Sequence, residues 1–396
     1  MKIVTLTTDY LPNIGGIAAH VHYLTEALSR QGHKIFLIHV KNGSQTGDIN
    51  KEIVSENFFL YTVINNEDQS RLLRVYNRAK QILRVYKKII EEHGKVDIVH
   101  QHDLRMCNWA MKFIKRNNVW IWTNHSSGFL KSSRNILQQY YLKFLYKDVD
   151  GIITASTERL NKTAEVFGDS SEKKFIPNGV DTNMFFPRQV DKYRNIDVNI
   201  EKDFVVLCPS RMVPVKGIIY LADAIQSIIK SAPDVKWKFI FLGSDRVFNT
   251  DDSYISKIYS TLEDYIQDGK VKMLGNLPLE DMPKVNNLAD IVVLPSLMDA
   301  VSLSALEAMA CKVPLVATNI DGLSEIIENE HTGLLVPPKN SEALANAILK
   351  LQKNDDLRNS LATSGYDLAV KEYSWDSIAQ KTTIFYKDVL ITKNEH

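Results

Sequence analysis

A serine-rich turn between an apolar run and a helical pattern is the part of this chain best suited to bind an anion. The run DIVVLPS, residues 290–296, predicts a buried strand, and SALEAMA, residues 304–310, predicts a helix. Backbone N–H groups at the start of such a helix have no partner within it, so they attract an anion such as a diphosphate. In this turn, the candidate residues for binding a donor substrate that carries a diphosphate are Val301, Ser302 and Leu303.

Two carboxylates flank that turn, Asp299 before it and Glu307 inside the helix. Each has two acceptor oxygens, which suits Asp299 to sugar hydroxyls and Glu307 to a vicinal diol such as a ribose. An acid pair at this spacing, taken alone, is more often a loop residue and a solvated helix residue. The residues around the pair decide between the two interpretations.

The segment PSLMDAVSLSALEAMACKVPLVAT, residues 295–318, resembles the signature of the retaining family 4 glycosyltransferases, which have the GT-B fold. The usual form of that signature is close to PSxxEGFGLxxLEAMACGxPVVAT. This chain departs from it at Asp299, which replaces a Glu, at residues 300–302, which replace a GFG turn, and at Lys312, which replaces a Gly. Asp299 and its turn are therefore where an altered donor choice or a loss of activity is expected.

Arg211 and Lys216 lie five residues apart in SRMVPVKGIIYL, between the strand FVVLCPS and a predicted helix. Two fixed cations there can neutralise a diphosphate leaving group, although such a pair alone is usually a solvated loop. The segment resembles the GR-x4-KG segment of the same family, which carries its phosphate-binding Arg and Lys. Ser210 stands where that family usually has Gly.

Gly15 and Gly16 lie between the first predicted strand and a helix, in TTDYLPNIGGIAAHVHYLTEAL. Glycines let the backbone approach a phosphate or sugar closely, and an ordinary glycine turn is the alternative. No third glycine gives the dinucleotide-binding spacing, and no GK[ST] gives a P-loop. The loop resembles the P-x-x-GG segment of the family, which implies donor binding. Asp9, at the end of the same strand, is a candidate for an acceptor contact.

Three histidines follow predicted strands of the first half, His100 and His102 in DIVHQHD and His125 in WIWTNHSSGF. The spacing of His100 and His102 also suits a metal, but no further ligands stand at a recognisable spacing, so a structural role is favoured. His125 matches the histidine that the family places near the donor sugar, which implies a hydroxyl contact or an orienting role. The sequence Asp148-Val149-Asp150 is interpreted as incidental.

The composition predicts a two-domain globular enzyme. The chain has 396 residues, 44% of them hydrophobic and 24% charged. Residues 1–190 hold 26 Lys and Arg against 18 Asp and Glu, and residues 191–396 hold 22 against 29, which indicates two units with different surfaces. Three scattered cysteines, no apolar run of membrane-spanning length and no signal peptide predict a cytoplasmic location. The near-zero net charge and the absence of binding motifs argue against nucleic acid.

Apolar runs alternate with helical patterns in both halves, which predicts two doubly wound α/β domains with parallel sheets. Six strands are predicted in the first half and five in the second, from MKIVTLT to PLVAT. The first domain is expected to span 1–187 plus a C-terminal helix of about 378–396, and the second 188–377. The resemblance implies the GT-B arrangement, in which two such domains face each other across a cleft, and that the last helix returns to the first domain.

The resemblance implies transfer of a sugar from a nucleoside diphosphate sugar to an acceptor hydroxyl, with retention. Family precedent is front-face attack, in which the leaving diphosphate helps to remove the acceptor proton, so no metal cofactor is expected. The nucleotide base is predicted to rest near Asn276 and Leu277, after the strand KVKMLG. A catalytically weak nucleotide-sugar-binding subunit and a GT-B sugar epimerase are the alternatives.

Residues 71–90, RLLRVYNRAKQILRVYKKII, contain seven Lys and Arg, no acid, and apolar residues at helical spacing. A basic amphipathic helix of this kind can lie on an anionic membrane, and a core-packed helix with a solvated basic face is the alternative. The aromatic and basic residues of 137–147, LQQYYLKFLYK, favour the membrane slightly. The acceptor is therefore predicted to be a saccharide or a lipid-linked saccharide at the inner membrane face.

Overall fold

The structure is a computed structural model that describes the chain except residues 13–14, 45–48, 103–107, 116–117, 126–128, 130–134, 169, 191–192, 194–195, 197, 200, 244–251, 300 and 396. It divides into two compact units. Unit 1 comprises Met1–Gly179 and Trp375–His396, and unit 2 comprises Val180–Ser374. The predicted return of the last helix to the first domain agrees with this division.

The predicted boundaries, 187 and about 378, lie a few residues too late. The N–H of Val180 donates to the carbonyl of Tyr373 at 2.8 Å, and Val180 forms a β-bridge with Ser374, so both crossing points belong to unit 2. Asn287 of unit 2 then accepts from the N–H of Arg188 at 2.8 Å and donates to the carbonyl of Phe186 at 3.1 Å. These backbone bonds, which composition does not reveal, attach residues 180–188 to unit 2.

The sheet of unit 1 has eight strands in the order β3-β4-β2-β1-β5-β6-β7-β8. Neighbouring strands are parallel except β3, which runs antiparallel to β4. The strands are β1 Lys2–Thr7, β2 Lys34–Gly43, β3 Asn50–Ser55, β4 Phe58–Asn66, β5 Ile98–Gln101, β6 Val119–Asn124, β7 Gly151–Thr154 and β8 Glu172–Phe175.

Helices cover both faces of that sheet, as expected because its central strands β1, β5, β6 and β7 are buried along almost their whole length. The described helices of unit 1 are α1 Gly16–Arg30, α2 Arg71–His93, α3 Asn108–Ile114, α4 Ile136–Tyr146, α5 Thr157–Phe167 and α12 Trp375–Asn394. Apolar residues of α2 to α5 share one hydrophobic cluster, and those of α1 and α12 share another. No described helix is long and apolar enough to cross a lipid bilayer.

The sheet of unit 2 has six parallel strands in the order β11-β10-β9-β12-β13-β14. Its strands are β9 Asp203–Pro209, β10 Lys236–Leu242, β11 Val271–Gly275, β12 Ile291–Leu294, β13 Leu315–Thr318 and β14 Leu334–Val336. Its helices are α6 Ile218–Ser231, α7 Asp252–Gln267, α8 Met282–Asn286, α9 Leu303–Ala310, α10 Ser341–Gln352 and α11 Asp355–Tyr373. The strand order reverses between β9 and β12, and parallel α/β sheets bind ligands beyond the carboxyl ends of the strands at such a point.

Short polar side chains fix the starts of several helices by accepting a backbone N–H that the first turn leaves unpaired. Ser156 accepts from Arg159 at the start of α5, and Asn340 accepts from Ala343 at the start of α10. The start of α9, the helix of the carboxylate signature, differs because its N-cap Ser302 makes no side-chain capping bond. In the described part of the chain, no N-cap side chain occupies its first-turn amides, which leaves them open to a ligand.

Candidate functional site

Two loops lie beside each other at the carboxyl edge of the sheet of unit 2, one after β9 and one after β12. The carbonyl of Val215, in the first loop, accepts from the N–H groups of Leu297 and Met298, in the second, at 2.8 and 3.2 Å. Because β9 and β12 are neighbours in the sheet, both loops start from the same place. The backbone bonds then hold them in a fixed mutual position.

Gly217 makes this close approach possible. Its φ is +61°, and a Cβ built on it would lie 2.0 Å from the carbonyl oxygen of Pro295. Any larger residue would push the two loops apart, because real Cβ contacts do not come so close. The glycine after Lys216 is thus needed for the packing of the site, a role that the sequence alone did not reveal.

The ammonium group of Lys216 lies 2.6 Å from Oδ2 of Asp299. The two side chains are only 17% and 15% exposed, so the pair is poorly solvated. The Ser296 hydroxyl lies 3.5 Å from the same carboxylate oxygen. The two residues that the sequence assigned to different ligand groups, diphosphate and sugar, are therefore direct neighbours.

Arg211 stands at the entrance of the loop that follows β9 and is exposed. Among the residues that the structure describes, its guanidinium has no hydrogen bond or ion pair, so its donors are available to a ligand. Gly243, at the end of β10, packs under this point with φ +132°, and a Cβ there would lie 2.4 Å from the carbonyl of Ser210. Because Gly243 has no side chain, the loop that contains Arg211 can lie close to the sheet.

Glu307 lies one turn into α9, between the buried residues Leu306 and Ala308. Burial raises the pKa of its carboxyl group to about 7. The carboxylate receives no hydrogen bond within the described part of the chain. A half-neutral, unpaired acid at a ligand-binding edge gains most from a ligand that offers it two hydroxyl donors.

Asn276 and Leu277 follow β11, and the Asn276 side chain is exposed. The turn before them is held to the next strand by a bond from the N–H of Gly243 to the carbonyl of Gly275 at 2.9 Å. Because β11, β10 and β9 are consecutive in the sheet, these residues lie at the same edge as Arg211. The structure thus places the site residues predicted in the second half along one edge of the sheet of unit 2.

Lys312, which replaces the usual glycine of the family signature, adopts a backbone conformation that is costly for a residue with a side chain. Lys312 follows Cys311, the C-cap residue of α9, and has φ +59°. Glycine is the usual residue there because it enters this left-handed region without a steric penalty. Lys312 takes the conformation that a glycine would take.

In unit 1, the glycine loop and Asp9 lie at the carboxyl end of β1. Gly15 is the N-cap of α1, and a Cβ on it would lie 3.5 Å from Oδ2 of Asp9. Its φ of −168° is open to any residue, so the glycine is not required by conformation. A Cβ on Gly16 would meet nothing within 4 Å, so the backbone there is open to a ligand. The preceding residues 13–14 lie outside the described part of the chain.

Histidines gather at the same edge of the sheet of unit 1. His102 follows β5, His125 follows β6, and His20, which the sequence analysis did not single out, reaches them from α1. Nδ1 of His102 lies 3.2 Å from Nε2 of His125, which is partly exposed. The presence of a histidine one turn after the Gly16 loop was the available sequence signal for His20.

Burial lowers the pKa values of these histidines. The pKa of His20 falls to about 4, and those of His100, His102 and His125 fall well below their usual value, with the neighbouring histidines adding to the effect. All four are therefore neutral at pH 7. His125 can both accept and donate a hydrogen bond to a sugar hydroxyl in that state.

The Asp148 and Asp150 carboxylates have structural partners. Asp150 accepts from the N–H of Trp120 and from Lys393 of α12, both at 2.8 Å, and Lys115 lies 3.7 Å from Asp148. Asp150 thereby joins β6 to α12. These contacts agree with the interpretation that the D-x-D sequence is incidental.

Known protein families match both halves of the chain. Residues 14–184 match the family described as Glycosyltransferase Family 4, and residues 189–368 match the family described as Glycosyl transferases group 1. The chain is a family 4 glycosyltransferase. The enzyme class and the GT-B fold predicted from the signature are thus confirmed.

Relatives of this glycosyltransferase align along its whole length. It is 27% identical to an uncharacterized glycosyltransferase of Methanocaldococcus jannaschii, covering 98% of both chains. It is 24% identical to the UDP-Gal:alpha-D-GlcNAc-diphosphoundecaprenol alpha-1,3-galactosyltransferase of Escherichia coli, over 99% of this chain and 98% of that one.

Solved structures share the fold. The sucrose-phosphate synthase of Thermosynechococcus elongatus superposes with a TM-score of 0.78 at 21% identity, over 99% of both chains. Anabaena HepE in complex with UDP-glucose gives a TM-score of 0.71 at 19% identity, over 98% of this glycosyltransferase and 100% of that chain. At these identities the likeness concerns the fold alone.

Proposed function

We propose that this glycosyltransferase moves a hexosyl group from a nucleoside diphosphate sugar to an acceptor hydroxyl with retention of the anomeric configuration. One observation carries the proposal. Lys216, Asp299, Glu307 and the first turn of α9, which has no side-chain cap, lie at the carboxyl edge where the strand order of unit 2 reverses. A nucleoside diphosphate sugar at such an edge needs a cation for its diphosphate, a hydrogen-bond acceptor for its sugar and a second acceptor for its ribose.

The proposed roles in unit 2 follow from charge and position. Arg211 and Lys216 bind the diphosphate together with the N–H groups of Ser302 and Leu303. Glu307 accepts from the ribose diol, and Asp299 accepts from a sugar hydroxyl. The buried Val301 anchors the turn, and Asn276 and Leu277 hold the base through their backbone.

In unit 1, the amides at Gly15 and Gly16 are proposed to donate to the sugar or phosphate oxygens of the donor. His125 is neutral and partly exposed, so we assign it a hydroxyl contact that orients the sugar. Asp9, which lies beside Gly15, is proposed to accept from the acceptor hydroxyl.

In the reaction, the bond between the anomeric carbon and the diphosphate oxygen breaks, and the acceptor oxygen bonds to that carbon from the same face. The acceptor proton passes to the departing diphosphate, so no base from the protein is consumed. Arg211 and Lys216 stabilise the charge that develops on the diphosphate, which is the interaction that grows most in the transition state. Two protein cations take the place that a divalent metal holds in other sites, so we propose a metal-independent reaction at the diphosphate.

The test is release of nucleoside diphosphate from a panel of UDP, GDP, ADP and dTDP sugars, with saccharide and lipid-linked acceptors and in the presence of EDTA. Lys216→Ala and Glu307→Ala should lower turnover by at least about 100-fold. Lys230→Ala, an exposed lysine in the last turn of α6, is the matched control and should be normal. Near-normal transfer by either site variant, or donor binding without any turnover by the parent, would refute the proposal.

We further propose that the acceptor is presented at an anionic membrane, to which unit 1 binds. The helix α4 exposes Ile136, Leu137, Tyr140 and Tyr141 by 62 to 75%. Such a row of exposed aromatic and aliphatic side chains, beside the cations Lys143 and Lys147, suits a lipid interface.

The helix α2 agrees with this proposal in its first half only. Leu72 and Tyr76 are 85% and 60% exposed, whereas Ile82 and Ile89 are buried in the core. Both helices pack on the same face of the sheet, so their exposed parts point away from the same side of unit 1. The name of the Escherichia coli relative, which specifies a diphosphoundecaprenol-linked acceptor, supports a lipid-linked substrate.

A further inference from the structure

Three histidines of unit 1 form a compact cluster that hydrogen bonding within the protein does not explain. One ring nitrogen of each of His20, His102 and His125 lies within 4.8 Å of the others. His20 and His102 are 3% and 1% exposed, and Nε2 of each has no hydrogen-bond partner. Buried imidazole nitrogens normally have a partner, so Nε2 of His20 requires one that the described residues do not supply. His102 faces His125 through its other nitrogen, Nδ1.

A fourth histidine provides the contrast. His100 stacks against His102 with ring centroids 3.9 Å apart, and it is equally buried. Its Nε2 lies 2.6 Å from the Thr123 hydroxyl, and its Nδ1 lies 2.6 Å from the Tyr386 hydroxyl. Both of its nitrogens are therefore satisfied by the protein, unlike Nε2 of His20 and Nε2 of His102.

The orientation of His20 suits a metal ligand. Its Nδ1 lies 3.0 Å from Oδ1 of Asn178, which accepts, so the proton is on Nδ1 and the lone pair of Nε2 points into the cluster. Histidines that bind metal are usually held in this way by a hydrogen bond at the other nitrogen. Trp375 packs edge-on against the same ring with centroids 5.4 Å apart, which restricts its rotation.

We propose that His20, His102 and His125 bind one divalent transition-metal ion, Zn²⁺ being the best match to three neutral imidazoles. Two Zn–N bonds of about 2.1 Å in tetrahedral geometry place their nitrogens about 3.4 Å apart. Nδ1 of His102 and Nε2 of His125 are already 3.2 Å apart, and a ring nitrogen of His20 lies within 4.8 Å of these two residues' ligand atoms, so the His20 side chain has to move inward to complete the set. A water molecule or another oxygen ligand takes the fourth position, on the side where His125 is exposed.

His125 is also the residue proposed to contact the donor sugar, so a bound ion and that sugar contact exclude each other. Arg159, which is buried nearby, opposes an added positive charge, so the affinity should be lower than that of a structural zinc site. Carboxylates are absent from the described ligands, so Mg²⁺ and Ca²⁺ are not expected to bind.

The test uses untagged, EDTA-treated full-length protein, with Zn²⁺ titrated in a calorimeter and Co²⁺ followed by its visible absorption. One equivalent of metal and a four-coordinate cobalt spectrum are expected. His125→Ala and His102→Ala should weaken binding at least 10-fold, and Asn178→Ala should weaken it about 10-fold through His20. His22→Ala, in the same helix as His20, and His331→Ala, exposed in unit 2, are the controls and should bind as the parent does.

Circular dichroism confirms that each variant is folded before it is titrated. His125→Ala is the decisive variant because His125 is partly exposed and its truncation leaves the core intact. Substoichiometric binding by the parent, or unchanged binding by folded His125→Ala, would overturn the proposal. Metal content measured after desalting gives a second readout that does not depend on transferase activity.

Discussion

Lys216 and Asp299 form an ion pair of 2.6 Å at the edge of the sheet where a diphosphate and a sugar are proposed to bind. The pair means that each residue already has a partner before the substrate arrives. A diphosphate has to share Lys216 with Asp299 or displace it. The aspartate that replaces the usual glutamate of the family therefore affects the phosphate contact as well as the sugar contact.

Asp299→Asn should separate these two effects. Without the competing carboxylate, Lys216 is expected to bind free nucleoside diphosphate several-fold more tightly, while turnover falls at least about 10-fold because the sugar loses an acceptor. Calorimetric titration with the product nucleotide and steady-state kinetics measure the two quantities. Asp321→Asn, an exposed acid of unit 2, should change neither. Weaker product binding by Asp299→Asn would contradict the competition.

A double-mutant cycle tests the ion pair itself. Lys216→Met leaves a poorly solvated carboxylate unpaired and should lower the free energy of unfolding by about 1–3 kcal/mol. Adding Asp299→Asn should restore most of that loss without restoring activity. Chemical denaturation of the four proteins gives the coupling. Additive effects would show that the pair contributes nothing to stability.

Glu307 should make stability and donor binding depend on pH in opposite directions. Its pKa is about 7 in the folded protein against an ordinary 4.5, so the folded state binds the proton more tightly than the unfolded state. The stability of the ligand-free protein therefore falls as the pH rises from about 4.5 to 7, by at most about 3 kcal/mol, which solvent contact reduces. Donor affinity should rise over the upper part of that range, because the ionised form accepts from the diol.

Glu307→Gln checks both trends. It should remove the fall in stability, raise the melting temperature at pH 8, and abolish the pH dependence of donor binding. Thermal shift and donor titration at pH 6 and pH 8 measure these changes, with the exposed Glu263→Gln as control. A variant less stable than the parent at pH 8 would show that Glu307 is not destabilised by its burial.

Gly217→Ala should disrupt the two linked loops. The φ of +61° costs an alanine about 1 kcal/mol, and the contact with the carbonyl of Pro295 adds to it, for a total above about 3 kcal/mol. Gly269→Ala is the matched control, since Gly269 has φ +68° in the same unit but open space at its Cβ position. Denaturation measures the difference between the two, which isolates the contact. Equal losses would mean that the loops can move apart freely.

Lys312→Gly should stabilise unit 2 by about 1 kcal/mol, because glycine enters the left-handed region at the end of α9 without strain. Lys353→Gly, at the end of α10 with φ −86°, should destabilise it. Thermal unfolding compares the two. If Lys312→Gly also lowered stability, the lysine side chain would have to make a compensating contact.

Membrane binding should depend on the exposed row of α4. Tyr140→Ser with Tyr141→Ser should lower co-sedimentation with anionic vesicles at least about 10-fold, and Arg74→Gln with Lys80→Gln, in the first half of α2, should weaken it and reduce its salt dependence. Ile391→Ser, a 59% exposed residue of α12, is the control. Absence of vesicle binding by the parent, or parent-like binding by the tyrosine variant, would remove the proposal.

Sequence patterns predicted every inner strand of both sheets and missed only strands at sheet edges. All eleven predicted strands form, but β3, β8 and β14 were missed, and all three lie at sheet edges. The residues of β3, NKEIVS, are almost all exposed, and those of β8 are EKKF. An edge strand is held by backbone pairing on one side only and needs no apolar run, so periodicity does not detect it.

The site residues divide in a similar way. Signature motifs nominated Arg211, Lys216 and Glu307, because the roles proposed for these residues depend on chemical type at a fixed spacing. The requirement for a bare backbone at Gly217 depends on a carbonyl 78 positions later in the chain, and the role of His20 depends on strands that follow it. Such relationships arise from tertiary contacts and are visible only in the folded chain.

The backbone pairing of Val180 with Ser374 has a practical consequence. The segment between them starts and ends at the same point, so unit 2 is an insertion whose two ends adjoin. Its sheet has the strand order 3-2-1-4-5-6 when its strands are numbered from β9. Such a segment can be expressed by itself or circularly permuted without stretching its termini. Residues 180–374 can therefore be exchanged between relatives as one piece, and such chimaeras would measure how much of the proposed donor preference belongs to unit 2.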